Sequence, residues 1–425
     1  MEAIERKARN ILNIIPAIVI IFLIARSGLD IFKDIAVYVG PLKINVVSAL
    51  SLLMIILTAV YYFIVRVRFK KDFYFDKVSK AFLIWIITLL PWVLLSIVNY
   101  GTNGVVSVRE WIRLFSVIVV YLVVFNLSRT TTYEKIINLL FLSLIIPLGV
   151  GFYQVILGKG KVIAGILRIP GSFVHPNPFA FYLVIFIGLT FWKFRFSKKK
   201  MPWFLLLLIE SWMLITTFSL SGAVMLGALT VIMIIGEKTK HRLVLMCFLI
   251  GFVLVFLFTK TGQMRIAEQL ATGKIVEIVE TGRVYSSLDW RILNWHLLLS
   301  QWVKTPWVGY GLHTSIFINP MKSSAGFGAG PHNDYLRFLV ELGIIGFSLF
   351  LIFLFVIIRE TLQFYKRVSE SKEKSLSLVV LACYICWLVG SLADNLITAT
   401  AFQYYLWSLL AIVSGTAHNY RTGSC

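Results

Sequence analysis

The feature that most limits how this chain folds is a succession of apolar runs, each about 17 to 25 residues long, the length a helix needs to cross a bilayer. They lie near 11–25, 44–65, 81–98, 109–127, 137–157, 177–193, 202–218, 220–236, 243–259, 335–358, 376–393 and 397–414. The expected fold class is an all-α polytopic membrane protein with about twelve transmembrane helices. Composition agrees: 59% of residues are hydrophobic and 14% charged, whereas soluble domains run nearer half apolar and a quarter charged. The basic start, Arg6, Lys7 and Arg9, fits a leader or a retained first helix. No small-residue cleavage site stands convincingly before the next run, so a retained helix is expected. The runs divide the chain into residues 1–259 with nine spans and short loops, a large loop over 260–334, and residues 335–425 with three spans and a tail.

Charge sets the expected orientation. With the N-terminus inside, the cytoplasmic segments carry 25 Lys and Arg and the external short loops and helix ends carry 9, the large loop being set aside because long loops obey the rule poorly. The net charge of +21 then follows from topology and attraction to anionic lipid heads, and no nucleic-acid partner is expected. Cys383 and Cys386 in "CYIC", and Cys247, fall inside apolar runs, where helix packing rather than redox chemistry is the expected role.

This orientation gathers the unusual features on the external side: "RIPGSFVHPNPFA", the "SLSG" turn, the large loop, and "GPHND" where that loop re-enters the membrane. No fixed-period repeat is present. Within the loop, "SSLDWRILNWHLLLSQW" reads as one amphipathic helix from about Ser286 to Trp302, stopped by Pro306. Trp290, Trp295 and Trp302 suit the headgroup level, which makes the loop a lid lying on the membrane, and Asp289 suits the helix start. Arg291 fits two roles, an interfacial arginine reaching lipid phosphates or a fork of donors for a phosphate or pyrophosphate. Arg168 has the same two readings.

His332 precedes the tenth run, with Asn333 or Asp334 placed to cap a helix beginning at Tyr335. "PHND" is either a helix-start turn or the seat of a functional imidazole. Arg337 and Glu341, four apart, share a helix face and are expected to pair within the bilayer. His175 and Glu210 are weaker candidates: His175 either contacts the pyrophosphate or glycan or only orders its loop, and Glu210 is either functional or a buried structural acid. A neutral imidazole at the membrane surface with arginines nearby suits one reaction type: the imidazole takes a proton from an acceptor hydroxyl while the arginines stabilise a departing pyrophosphate. Asp30 and Asp34 form only a lone acidic pair, so neither a metal nor a cofactor is expected.

The stretches "RIPGSFVHPNPFAFYL", "TTFSLSGAVMLGAL", "DWRILNWHLLLSQWVKTPWVGYGL" and "PHNDYLRFLVELGIIGFSLFLIF", in that order, resemble the O-antigen ligase and O-antigen polymerase superfamily, membrane glycosyltransferases of the GT-C type. The resemblance implies transfer of a glycan from undecaprenyl pyrophosphate to an acceptor hydroxyl at the outer face of the bacterial cytoplasmic membrane, in surface polysaccharide biosynthesis. It implies that Arg291 binds pyrophosphate, that His332 is the base or orients substrate, that Arg168 is a further phosphate contact and that Glu341 has a structural pairing role. The family's "SRSG"-like turn usually carries an arginine where this chain has Leu220, so either Arg168, Arg265 or Arg283 supplies that charge or this chain handles its donor differently. The acceptor is either another lipid-linked glycan, making the enzyme a polymerase, or lipid A-core, making it a ligase; a chain-length regulator is a further partner the resemblance suggests. A transferase of this type is expected to be metal-independent and inverting. A lipid-linked oligosaccharide flippase is the rival, though such transporters place ionisable groups near the midplane between related halves. A non-catalytic scaffold explains the spans but not the external cluster.

Overall fold

A computed structural model describes residues 2–39, 42–65, 73–163, 165–237, 239–271, 273, 275–321, 328 and 330–422. Among the described residues the chain is all-α apart from two short antiparallel hairpins. In order, it forms α1 (Glu2–Arg26), β1 (Ala36–Val39) paired with β2 (Leu42–Asn45), α2 (Val46–Phe63), α3 (Lys77–Thr88), α4 (Leu90–Tyr100), α5 (Val106–Ser128), α6 (Tyr133–Phe141) and α7 (Ile145–Ile156). Then come β3 (Lys161–Ile163) paired with β4 (Ile166–Arg168), α8 (Pro176–Phe196), α9 (Met201–Thr216), α10 (Leu220–Gly236) and α11 (Thr239–Phe258). The loop region holds α12 (Lys260–Leu270), α13 (Ile275–Thr281), α14 (Ser287–Trp302) and α15 (Ser315–Ile318), followed by α16 (Asp334–Arg367), α17 (Ser371–Gly390) and α18 (Thr400–Thr422).

Each of the twelve apolar runs falls on a helical stretch. Among the described residues, seven stretches are long and apolar enough to cross a membrane, and three apolar helices, Ile14–Arg26, Met201–Thr216 and Leu220–Gly236, are shorter. The remaining difference from twelve has two sources. Runs 81–98 and 109–127 fall within one helical stretch, Lys77–Ser128, and α18 carries Gln403, Ser408 and Thr416 among its apolar residues. The centre of the bundle is α8, α17 and α18, whose side chains are buried nearly all round, while α2 and α11 expose apolar faces suited to lipid. α18 packs along α5, and α10 along α17. Cys383 and Cys386 are buried in this core, as a packing role requires.

Local sequence accounts for the helix starts. Asn45, Asp76, Ser219 and Asn333 each accept a backbone N–H from the first turn of the helix they precede, and Ser286 and Asp289 form a reciprocal capping box on α14. Asn333 rather than Asp334 is thus the cap of α16. The large loop is richer than one amphipathic helix, since α12, α13 and α15 accompany α14.

One irregularity positions the site. α16 is broken at Gly343, whose φ is +64° and ψ −173°. There the loop segment 305–312 wedges against it: Ile344 N–H donates to Pro306 O at 2.8 Å, Ile345 N–H to Trp307 O at 3.1 Å, and Gly311 N–H to Glu341 O at 2.8 Å. Trp92 of α4 grips the wedge from the other side, donating Nε1 to Val308 O at 2.7 Å and accepting Leu312 N–H at its carbonyl. Backbone without helical bonds is tolerated inside a membrane protein only where protein satisfies it, and the wedge and the break satisfy each other.

Candidate active site

His332 stands in the left-handed backbone region, φ +48°, at the entrance to α16. Helix α14 holds that turn from above: Asn294 Nδ2 donates to Gly330 O at 2.9 Å and Trp295 Nε1 to Pro331 O at 2.8 Å. Trp290 lies edge-on to the imidazole, ring centroids 5.3 Å apart. Residues 290, 291, 294 and 295 fall on one face by helical spacing, so the motif "DWRILNW" places its arginine and its grip on the histidine side by side. Trp290 and Trp295 are therefore taken up by the protein rather than standing free at the headgroup level. A strained turn over-determined by its surroundings is characteristic of functional positions, and Phe218, beside the "SLSG" turn, shares it at φ +44°.

The imidazole Nδ1 is 3.3 Å from Asp394 Oδ1. Burial pushes the Asp394 carboxyl up, but the hydrogen bonds it accepts from His332, Asn395 N–H and Asn177 outweigh it and hold the group below the ordinary carboxylate range. An ionised Asp394 only accepts, so Nδ1–H is the donor in this contact, and the neutral imidazole in that tautomer has its lone pair on Nε2. Asn177, next to His175, joins the rest. Its Nδ2 donates to Asp394 Oδ2 at 2.7 Å, while its Oδ1 accepts from Arg168 at 2.7 Å and from Ser219 Oγ at 3.0 Å. One amide thus ties "RIPGSFVHPN", "SLSG" and the histidine–aspartate pair together.

Arg168, Arg265, Arg291, His175 and His332 line a cavity of about 460 Å³, along with Leu220 and Ser221. Arg168 is nearly buried, its Nε donating to Thr217 O at 2.7 Å. Burial, with Arg265 close by, brings its guanidinium down to about 10, against the pull of Asp394 and Glu268. Burial also lowers Arg291, whose Nη1 reaches Ser287 O at 3.2 Å. Arg265 is paired with Glu268. The Nε groups of Arg265 and Arg291 are buried without an acceptor among the described residues. The cavity wall thus carries three guanidinia against one carboxylate, Glu268, with buried donors left open, an arrangement chemically suited to a multiply charged anion. Arg283, by contrast, is exposed and does not line this cavity. Of the three arginines expected to replace the one absent at Leu220, Arg168 and Arg265 share the cavity wall with Leu220 and Arg283 does not.

Below His332, Arg337 and Glu341 pair as expected, Nε to Oε1 at 3.1 Å, within a larger network. Arg337 Nη2 also meets Glu110 Oε1 at 2.9 Å, Glu110 pairs with Arg113, and Glu341 accepts His313 N–H at 2.8 Å and Ser315 Oγ at 2.6 Å. This buried network ties α5, the wedge and the first half of α16. Glu210 is buried apart from it, accepting from Thr190 Oγ1 at 3.0 Å.

Residues 203–351 match the sequence model of the O-antigen ligase family. The chain resembles the O-antigen ligase superfamily. The O-antigen ligase-like segment takes in "SLSG", α14 with Arg291, His332, Arg337 and Glu341, whereas Arg168, His175, Asn177 and Asp394 lie outside it. Over 130 residues the chain is 27% identical to a Rickettsia conorii protein described as a "Putative polysaccharide ligase". That stretch is 28% of this chain and 30% of the relative, so the match spans less than a third of the relative's length.

His175 gives a pH prediction. Burial, with Arg168 adding to it, depresses its imidazole to about 4 from an ordinary 6.5. Between those values the unfolded chain binds a proton that the folded protein refuses, so stability falls as pH drops from 6.5 towards 4. Thermal unfolding in detergent should show a midpoint that declines over this window in the wild type and declines less in His175→Gln. An equal slope in the variant would remove His175 as a cause.

Proposed function

We propose that the protein is a glycan transferase of the bacterial cytoplasmic membrane, drawing on an undecaprenyl-pyrophosphate-linked donor at the external face. The observation that carries this reading is the His332–Asp394 pair standing beside a cavity whose three arginines suit a pyrophosphate. The partial likeness to the Rickettsia conorii protein described as a "Putative polysaccharide ligase" supports this reading.

The step is a direct displacement. Nε2 of His332 takes the proton of an acceptor hydroxyl, and the acceptor oxygen forms a bond to the anomeric carbon. The bond from that carbon to the pyrophosphate oxygen breaks, and undecaprenyl pyrophosphate leaves with its negative charge met by Arg168, Arg265 and Arg291. Attack opposite the leaving group inverts the anomeric centre. Guanidinia supply the charge that stabilises the leaving group, so transfer is expected to continue in excess EDTA. Asp394 acts through His332, fixing its tautomer and stabilising the imidazolium that forms.

The test is release of undecaprenyl pyrophosphate from a purified lipid-linked oligosaccharide. His332→Ala and Arg291→Ala should each lower the rate by about 10²-fold or more while the protein stays folded in the membrane. Asp394→Asn, a positioning change, should lower kcat by roughly tenfold or more with donor KM near that of the wild type. Full activity in both alanine variants would sink the mechanism. Longer lipid-linked glycans among the products identify a polymerase, and label appearing only on added lipid A-core identifies a ligase. Donor movement across liposomes with no turnover on either acceptor would favour the flippase reading instead.

A further inference from the structure

His332, His175 and Asn177 line not one cavity but two. The second, about 520 Å³, lies between the ends of α1, α2, α5 and α18, on the side away from Arg265 and Arg291. Its size is that of an ordinary small-ligand pocket. Asn45, Ser48 and Ser51 of the α2 end give one wall hydroxyls and an amide, groups that suit sugar hydroxyls.

The charge of this cavity is unbalanced. Arg26, Lys33, Arg109 and Arg113 line it, against Asp30, Glu110 and Asp394. All three carboxylates are already engaged: Asp30 with Arg26, Glu110 with Arg113 and Arg337, and Asp394 with His332 and Asn177. Lys33 and Arg109 have no ion pair among the described residues. Arg26 is 2% exposed, and the Nε of Arg26 and of Arg113 are buried without an acceptor there. Buried guanidinium donors without acceptors are costly unless a ligand supplies the anion.

We propose that this second cavity is the acceptor subsite and that it selects an acceptor saccharide bearing a negative group, phosphate or carboxylate, held by Arg109 and Lys33 with the open donors of Arg26 and Arg113. The inference rests on the transferase reading, which gives His332 the proton of a hydroxyl delivered from this side. The three-arginine cavity has its own cations for the donor, so the cations here serve a different anion. Helix α2, whose first turns line the cavity with Val47, Ser48 and Ser51, exposes Leu52, Leu53, Ile56 and Val60 along the rest of its length, apolar surface on which an acceptor anchored in a bilayer would rest.

The experiment uses whichever acceptor turns over with the wild type, in two forms: intact, and with its phosphates removed or carboxylates esterified. Acceptor KM is measured beside the Kd of undecaprenyl pyrophosphate. Arg109→Gln should raise KM for the intact acceptor by about tenfold or more, Arg109→Lys should restore much of it, and the Kd should change by less than about twofold. The neutralised acceptor should show the raised KM with the wild type and no further rise with Arg109→Gln. An unchanged KM in Arg109→Gln, equal use of both acceptor forms, or a Kd that weakens in step with KM would each overturn the proposal, the last by putting the donor in this cavity. A failure of the transferase reading looks different, because the wild type then releases no undecaprenyl pyrophosphate at all.

Discussion

Gly343→Ala should yield no folded protein on extraction from the membrane. A side chain at φ +64°, ψ −173° enters a backbone region used almost solely by glycine, at a cost of order 1–3 kcal/mol. The larger penalty is steric: a Cβ there would lie 2.3 Å from Trp307 O and 2.5 Å from Val308 N, both backbone atoms that cannot rotate away. Relief requires expelling the wedge, which orphans the N–H groups of Ile344 and Ile345 at membrane depth, at several kcal/mol each. Together these exceed the usual stability of roughly 5–15 kcal/mol or consume most of it. Gly227→Ala in α10, where a Cβ meets nothing within 4 Å, is the control and should behave as the wild type. Size-exclusion profiles of the two extracts decide the matter. A normal monodisperse peak for Gly343→Ala would refute the account of the break.

The second large effect is expected at Glu110. Two carboxylates, Glu110 and Glu341, face two guanidinia, Arg113 and Arg337, with Glu110, Glu341 and Arg337 each no more than 3% exposed. Deleting Glu110 leaves Arg113, whose side chain is 28% exposed, without its acid and Arg337 with Glu341 alone, and breaking a buried pair from one side costs up to about 3–5 kcal/mol. Glu110→Ala should therefore lower the thermal midpoint sharply. Adding Arg113→Met restores neutrality, so the double variant should recover part of the loss, giving a coupling energy of opposite sign to the single effects. If the double variant is as unstable as the sum of the two singles, the network is not balanced in charge and the argument fails.

The parts legible in the sequence were those that local chemistry fixes. The apolar runs marked the helices because bilayer length and hydropathy act on contiguous residues. Ser286 marked the start of α14 because a capping box needs only neighbours, and Arg337 with Glu341 needed only helical spacing. Asp394 and Asn177 were not legible. Each is an ordinary loop or helix-start residue until the fold joins them across 217 positions of chain, and it is that contact which gives His332 its partner. Glu110 was missed for the same reason, 227 residues from Arg337. A lone acid in "SLADN", in the short link before the last apolar run, was the available hint. The tryptophans of α14 show the opposite failure: an interfacial preference is a correct average for indoles, and here Pro331 O and the His332 ring offered Trp295 and Trp290 better partners.

The grip of α14 on the turn before α16 has a further consequence. Arg291, Asn294 and Trp295 ride on one helix, so any tilt of α14 would also slacken its hold on Gly330 and Pro331 and with it the contact of the imidazole with Asp394. Under the proposed transferase reading, opening and reactivity would then be mutually exclusive. A donor entering past a parted α14 would meet a disarmed base, and stray water would gain no help in destroying it before the helix settled.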